Sequence, residues 1–290
     1  MVLEEFKRYW NSKFTYLLLL ILTLIVGIST FSTFLEKMEW KMILESADST
    51  VNLDVINDLV MGHTGTYFFE SIMFRNIDFF MIFWIVVLIG FGINIGANTF
   101  STLYSSYGSI IMTRMPYKSY LKQTLIAQVL YMISFILFFF LIIFTIFLII
   151  GGGGFQISPI SIYKGTSITM YILTLFGLIF FCTVCVILMV IIASLSPIFL
   201  KNKYIIQFLP FSLTMGGYII SYIFGNMNDL FAKIVSWILL ESSYQYLLSF
   251  IANKSYTHLI NAFYFPIILG VISLVLYKIN VSKLGEDYLC

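Results

Sequence analysis

Few side chains in this sequence could do covalent or acid–base chemistry, and those few are scattered. Cys182 and Cys185 form a C-x-x-C, the spacing of a redox dithiol, but they lie inside an apolar run without Asp, Glu, Lys, Arg or His. A redox pair needs an exposed thiolate with a depressed pKa, so a packing role is expected for both. Cys290 offers no more than a terminal thiol. His63 and His258 fall outside the apolar runs, and neither joins a metal-ligating set or a Ser/His/Asp arrangement. Gly151–Gly154 invites comparison with a phosphate-binding loop, but no Lys-Ser/Thr follows it, and G-x-x-x-x-G-K-[ST] occurs nowhere. The expectation is a chain with no catalytic residue, no metal site and no cofactor of its own.

The polar groups that do occur in apolar surroundings are amides. Asn94 and Asn98 stand four residues apart, on one face of a helix, and Gln128 lies in the next apolar run. An amide facing lipid would lack a partner, so these side chains are expected to face protein. Gly92 and Gly96 form a G-x-x-x-G that lets a neighbouring helix approach closely. Gly92, Asn94, Gly96 and Asn98 are therefore expected to serve helix packing or, alternatively, to line a substrate path.

The elements that must position these groups are long and apolar. Six runs span roughly 14–35, 79–104, 124–150, 166–196, 204–224 and 259–277, and none has Asp, Glu, Lys, Arg or His in its central portion. Each is long enough for the ~20 helical residues that cross a hydrocarbon core. The 290 residues are 60% hydrophobic and only 10% charged, too few charges for a soluble domain of this size. The free segments are too short to bury a core of their own at the ~60 residues usually needed. The reading is an all-α polytopic membrane protein with about six transmembrane helices and a single membrane domain over residues 1–290. A net charge of +2 gives no reason to expect a nucleic-acid partner.

Orientation follows from the cations. With the N-terminus inside, Lys7, Arg8, Lys13, Arg114, Lys118 and Lys122 are cytoplasmic, as are Lys201, Lys203, Lys278 and Lys283. Lys37, Lys41, Arg75, Lys164, Lys233 and Lys254 fall outside, the smaller share of the 16. That bias places both termini in the cytoplasm of a multi-pass protein of the cell membrane. The outer loops are then about 36–78, 151–165 and 225–258. The first run is too long for the h-region of a signal peptide and no A-x-A-like site follows it, so it reads as an uncleaved span.

Several shorter segments have a pattern of their own. Leu3, Phe6 and Trp10 recur at helical spacing among Glu4, Glu5, Lys7 and Arg8, which predicts an amphipathic interfacial helix over 1–13. In the first outer loop Val51, Val55, Ile56, Leu59 and Val60 follow a helical period that Gly62 would end. Arg75 and Asp78 could pair one turn apart at its edge. Pro210 and Gly216-Gly217 permit a kink or close packing in the fifth run, and Leu230–Leu240 is too short to span and suggests a re-entrant or surface helix.

The inner loop between the second and third runs carries the distinctive pattern. Ile110, Ile111 and Arg114 suggest a short helix ended before Pro116, with a further helix starting near Lys118. The succession Gly108-Ser109, Ile110–Thr113, Arg114-Met115-Pro116 and Tyr117–Lys122 resembles the corresponding segment of ABC-2 type membrane subunits of ATP-binding cassette exporters. In that family a small-residue step, an apolar helix, Arg-x-Pro or x-x-Pro and a polar turn lead into the third span. The amphipathic N-terminal helix, about six spans, longer first outer loop and short outer helices before the last span extend the resemblance over the chain. The acid that often precedes the glycine in the family has no counterpart in Tyr104, Ser105, Ser106 or Tyr107.

The resemblance implies that this inner segment is a coupling helix docking into an ATPase, through Gly108, Ser109, Ile110, Ile111, Arg114, Pro116, Tyr117 and Lys118. It implies a separate ABC ATPase subunit that holds the ATP and Mg, and a second membrane subunit, identical or not. The activity implied is export of an amphipathic or lipophilic substrate, such as a peptide, lipid or drug-like molecule, drawn from the membrane lipid. Two other classes compete with this reading. An ion-coupled secondary transporter or channel would want charged groups near the midplane, which the runs lack. An intramembrane enzyme has one weak pointer, Glu4-Glu5-Phe6-Lys7-Arg8, which resembles the E-E-x-x-x-R of membrane CAAX-type proteases but is one residue short and precedes the first run.

Overall fold

The structure, a computed structural model of the chain, describes residues 1–46, 64–70, 77–104, 113–150, 157, 167–224, 240–253 and 256–287. The described residues are helical apart from short turns, with no strand among them. In chain order the helices are α1 (Val2–Trp10), α2 (Lys13–Ser46), α3 (Gly65–Glu70), α4 (Ile77–Phe91), a π-helical segment (Gly92–Gly96) and α5 (Ala97–Leu103). There follow α6 (Tyr117–Ile150), α7 (Ile168–Leu195), a 3₁₀ turn (Ser196–Ile198), α8 (Lys203–Phe224), α9 (Leu240–Asn253) and α10 (Tyr256–Asp287).

Among the described residues, five helical stretches are long and apolar enough to cross a membrane: Lys13–Ile43, Met81–Leu103, Tyr117–Ile149, Ile168–Ile198 and Tyr256–Lys283. The chain is thus an all-α, multi-pass membrane protein. The fifth expected run, 204–224, forms α8 but is not one of the five. Its 22 residues reach about 33 Å at 1.5 Å per residue, enough to cross a hydrocarbon core.

Helix α2 runs on beyond the first apolar run, to Ser46. Residues 36–46 are rich in Glu, Lys, Met and Leu, all good helix formers, and Lys41 pairs with Glu45 one turn on at 3.8 Å. The helix expected at Val51–Gly62, Arg75, Gly151–Gly154, Lys233 and Cys290 lie outside the described residues. Of the segment before the last span, the structure describes α9, which packs along α10.

The chain divides into two compact units. One comprises Met1–Leu18, Ile85–Ser134 and Leu178–Cys290; the other comprises Leu19–Trp84 and Phe135–Gly177. The second unit is held by aromatic rings. Phe69 meets Phe140, Phe144 and Phe147 edge-on at centroid distances of 6.3, 5.1 and 6.4 Å. Phe83 meets Phe139 at 5.6 Å and Phe140 at 5.4 Å. Each such pair adds about 0.5–1.5 kcal/mol beyond the area it buries. Tyr171 donates its hydroxyl hydrogen to the Thr66 carbonyl at 3.3 Å, which fixes α3 on α7. The first unit holds the residues singled out in the sequence.

Candidate functional site

In the first unit α1 docks by the face that carries Glu5 and Tyr9, both buried, while Leu3 and Lys7 stay exposed. The helix ends at Trp10, and along the backbone the Tyr9 carbonyl accepts a 3.3 Å bond from the Ser12 amide. The Thr15 hydroxyl donates to it at 2.6 Å, and the Asn94 side-chain amide reaches it at 3.5 Å. Thr15 has spent its one proton there, so the Tyr131 hydroxyl is the donor in the 2.8 Å contact between the two oxygens. The Asn94 amide also donates to Thr15 Oγ1 and to the Tyr131 hydroxyl oxygen, each at 3.1 Å. One amide thereby ties together α1, α2 and α6 from its place on the π-helical segment.

Rings close around this network. Tyr9 stacks on Tyr131 with centroids 5.5 Å apart, Trp10 meets Tyr131 edge-on at 5.9 Å, and Phe91 does so at 5.7 Å. Trp10 Nε1 donates to Ser134 Oγ at 3.1 Å. Gln128 donates to the Tyr9 hydroxyl at 3.3 Å and to Thr99 Oγ1 at 2.9 Å, and Thr99 passes its own proton to the Ile95 carbonyl at 2.9 Å. Glu5 pairs with Arg8 at 2.6 Å, and the Arg8 guanidinium lies 5.6 Å from the Tyr9 ring centre. Burial raises the Glu5 carboxyl above its ordinary range, more than nearby Arg8 lowers it. Burial likewise raises the Tyr9 phenol, which stays neutral and available as a hydrogen-bond partner.

The π-helical segment itself is shaped by its glycines. A Cβ on Gly92 would collide with the Gln207 carbonyl oxygen of α8, and one on Gly96 would lie 3.3 Å from both Cγ2 and the carbonyl oxygen of Ile206. Pro210 has no N–H, so the Ile206 carbonyl four residues earlier loses its helical donor. The backbone of α8 therefore approaches with exposed carbonyls where Gly92 and Gly96 present only Cα hydrogens, a geometry suited to weak C–H···O contacts. Asn98 turns its amide back on the same helix: it donates to the Asn94 carbonyl at 2.6 Å and to Asn94 Oδ1 at 3.3 Å.

At the inner segment, Gly108, Ser109, Ile110 and Ile111 lie outside the described residues. Thr113 and Arg114 are helical, and Arg114, Pro116 and Lys118 are exposed. The Pro116 carbonyl accepts from the Ser119 and Tyr120 amides at 2.9 and 3.1 Å and so starts α6 at Tyr117. Tyr117 differs from its neighbours. It is buried with Tyr120, Leu121 and Leu195, against Leu103, Leu276 and Val281. Its hydroxyl donates to Asn280 Oδ1 at 3.4 Å, and Asn280 in turn donates to the Leu195 and Leu276 carbonyls, each at 2.8 Å. Tyr117 is thus an anchor joining the start of α6 to α7 and α10, with a cation on either side.

Tyr9, Thr15, Thr99 and Tyr131 did not stand out in the sequence. A hydroxyl in an apolar helix can satisfy itself on the preceding turn, so its type and spacing carry no signal. Asn280 was hidden in the same way, in a segment that reads as a plain tail. Cys182 and Cys185 are free and buried. Among the described residues no group of His, Cys, Asp and Glu could hold a metal ion. No protein-family model, curated protein or solved structure matches the chain.

Proposed function

We propose that the chain is the membrane-spanning subunit of an ATP-driven exporter of ABC-2 type, located in the cell membrane. In this reading it works with a separate ABC ATPase that holds the ATP and Mg, and with a second membrane subunit. The observation that carries the proposal is the chemistry of the buried polar groups. Among the described residues of the five spanning stretches and α8, no Asp, Glu, Lys, Arg or His is buried; the buried polar side chains are hydroxyls and amides, beside the two thiols of Cys182 and Cys185. Proton relays and ion coupling need intramembrane charge, so the driving force enters from another chain.

The point of entry in this reading is the segment from Gly108 to Lys122. Arg114 and Lys118 stand exposed where a partner can grip them, and the buried Tyr117 between them is tied through Asn280 to α7 and α10. A push on the cationic surface is therefore delivered to two spanning helices at once. An amphipathic or lipophilic substrate suits such a bundle because it enters from lipid and needs no charged cavity. Arg114→Glu with Lys118→Glu tests the coupling role. Loss of ATPase co-purification or of transport, with membrane insertion intact, is the expected outcome, and unchanged coupling would remove the role.

An ion-coupled carrier or channel remains the rival class. Its raw material would be Asn94, Asn98 and Gln128. All three donate to protein groups within their own unit, and these bonds support a packing role.

A further inference from the structure

A second surface of the first unit lies where α7, the 3₁₀ turn, α8 and the end of α10 meet. Leu195 of α7 belongs to a buried cluster against which Leu276 and Val281 of α10 pack, and the 3₁₀ turn that follows α7 packs on α8. Lys201, Lys203 and Lys283 are exposed there. The Lys283 ammonium sits 5.2 Å from the centre of the Phe199 ring, so the lysine and the turn share one surface. No Asp or Glu occurs in residues 191–210 or 271–283; Glu286 and Asp287 follow only at the last turn of α10. The acids of α1 are already engaged, Glu4 by the terminal amine at 3.3 Å and Glu5 by Arg8.

An apolar strip starts beside the lysines. Tyr204, Ile205 and Phe208 share a face of the first turns of α8 and are 72%, 50% and 43% exposed. Asn202 Oδ1 accepts from the Tyr204 amide at 2.9 Å, so the turn that presents Lys201 and Lys203 is held against the helix start. Cations at one end and unpartnered apolar side chains running away from them describe an amphiphile with a negative head.

We propose that this rim, Lys201, Lys203 and Lys283 with Phe199, Tyr204 and Ile205, binds an anionic phospholipid, its phosphate headgroup among the lysines and its acyl chains along α8. An acidic protein segment would use the charges but leave the strip beside them uncovered. Lysines near a membrane surface each add about 1 kcal/mol of attraction to anionic lipid, roughly fivefold in binding. The inference does not depend on the exporter reading, because it uses none of the residues of the segment before α6.

The test is made on the full-length protein in detergent, with phosphatidylglycerol, phosphatidylcholine of the same acyl chains, or inorganic phosphate added. Lipid retention is read by native mass spectrometry and stability by Tm. Phosphatidylglycerol should be retained and should raise Tm, while phosphatidylcholine and phosphate should do neither. Lys201→Gln with Lys203→Gln should weaken retention of phosphatidylglycerol by roughly tenfold or more, and Lys7→Gln should leave it unchanged. Lys283→Gln, scored separately, should shift retention in the same direction and keeps the test open should the double variant fail to fold. Equal retention of the two lipids, retention indifferent to the Lys201, Lys203 and Lys283 changes, or full stabilisation by inorganic phosphate alone would each overturn the proposal.

Discussion

Gly92 and the carbonyl oxygen of Gln207 are in such close register that the π-helical segment and α8 leave no room for a side chain between them. Neither neighbour is a flexible side-chain tip, so a clash there must move backbone. Gly92→Ala should lower stability by about 1–3 kcal/mol, the usual cost of overpacking. Gly216, also in a helix, would place a Cβ with nothing within 4 Å. Gly216→Ala should be neutral or slightly stabilising, since Ala favours helix over Gly by up to about 1 kcal/mol. Thermal unfolding of both variants in the same detergent checks the contrast.

Asn94 gives a prediction of a different kind, because it is a donor shared by three elements. Replacing it with Leu strips Thr15 Oγ1, the Tyr131 hydroxyl and the Tyr9 carbonyl of one partner each. Each of them keeps another partner, so the loss is that of the bonds themselves, about 0.5–1.5 kcal/mol apiece. Asn94→Leu should lower Tm and expose the α1–α2 junction to protease before it alters substrate choice. Intact stability with an altered substrate range would favour the path reading over packing.

Much of this arrangement was legible beforehand, and the reasons differ by residue. That Gly92 and Gly96 admit a close helix follows from their size and spacing, and that Asn94 faces protein follows from the cost of an amide in lipid. The identity of the neighbour was not legible. It depends on Pro210, more than a hundred residues away, freeing a carbonyl of α8. The π-helical turn also leaves no trace in a pattern that an ordinary helix would satisfy. On α1 the apolar spacing of Leu3, Phe6 and Trp10 is visible, but the docking face is Glu5 and Tyr9, because hydrogen bonding to α2, the π-helical segment and α6 outweighs hydrophobic periodicity. Long, uniform signals such as the apolar runs carried over well.

Glu5 makes the docking of α1 depend on pH. Its folded pKa lies above the ordinary value of 4.5 because burial disfavours the charged form. The folded state therefore holds the proton more tightly than the unfolded chain. The stabilising contribution is fully present below about 4.5 and is lost as pH rises through the folded value. Glu5→Gln, which mimics the protonated acid, should be more stable than the native protein at neutral pH. The difference in Tm should close as pH falls below about 4.5. A Glu5→Gln variant less stable than the native protein at neutral pH would show that the Arg8 ion pair dominates instead.

Tyr117 and Lys118 are adjacent but should behave as opposites. Tyr117 is buried and bonded to Asn280, whereas Lys118 is exposed. Tyr117→Ala should lower stability by about 3–5 kcal/mol, as large aromatic truncations in a core do. Lys118→Ala should leave Tm within about 0.5 kcal/mol of the native protein while weakening any partner contact. Paired measurements of Tm and of ATPase co-purification separate the anchor from the contact.

The central claim is that this bundle has no energy source of its own, and reconstitution of the purified chain alone in sealed vesicles tests it most directly. With proton or sodium gradients imposed in either direction and amphipathic solutes supplied, the account predicts no sustained uphill movement. Transport should appear only when the partner ATPase and ATP are added. Uphill transport by the isolated chain on an ionic gradient would contradict the account.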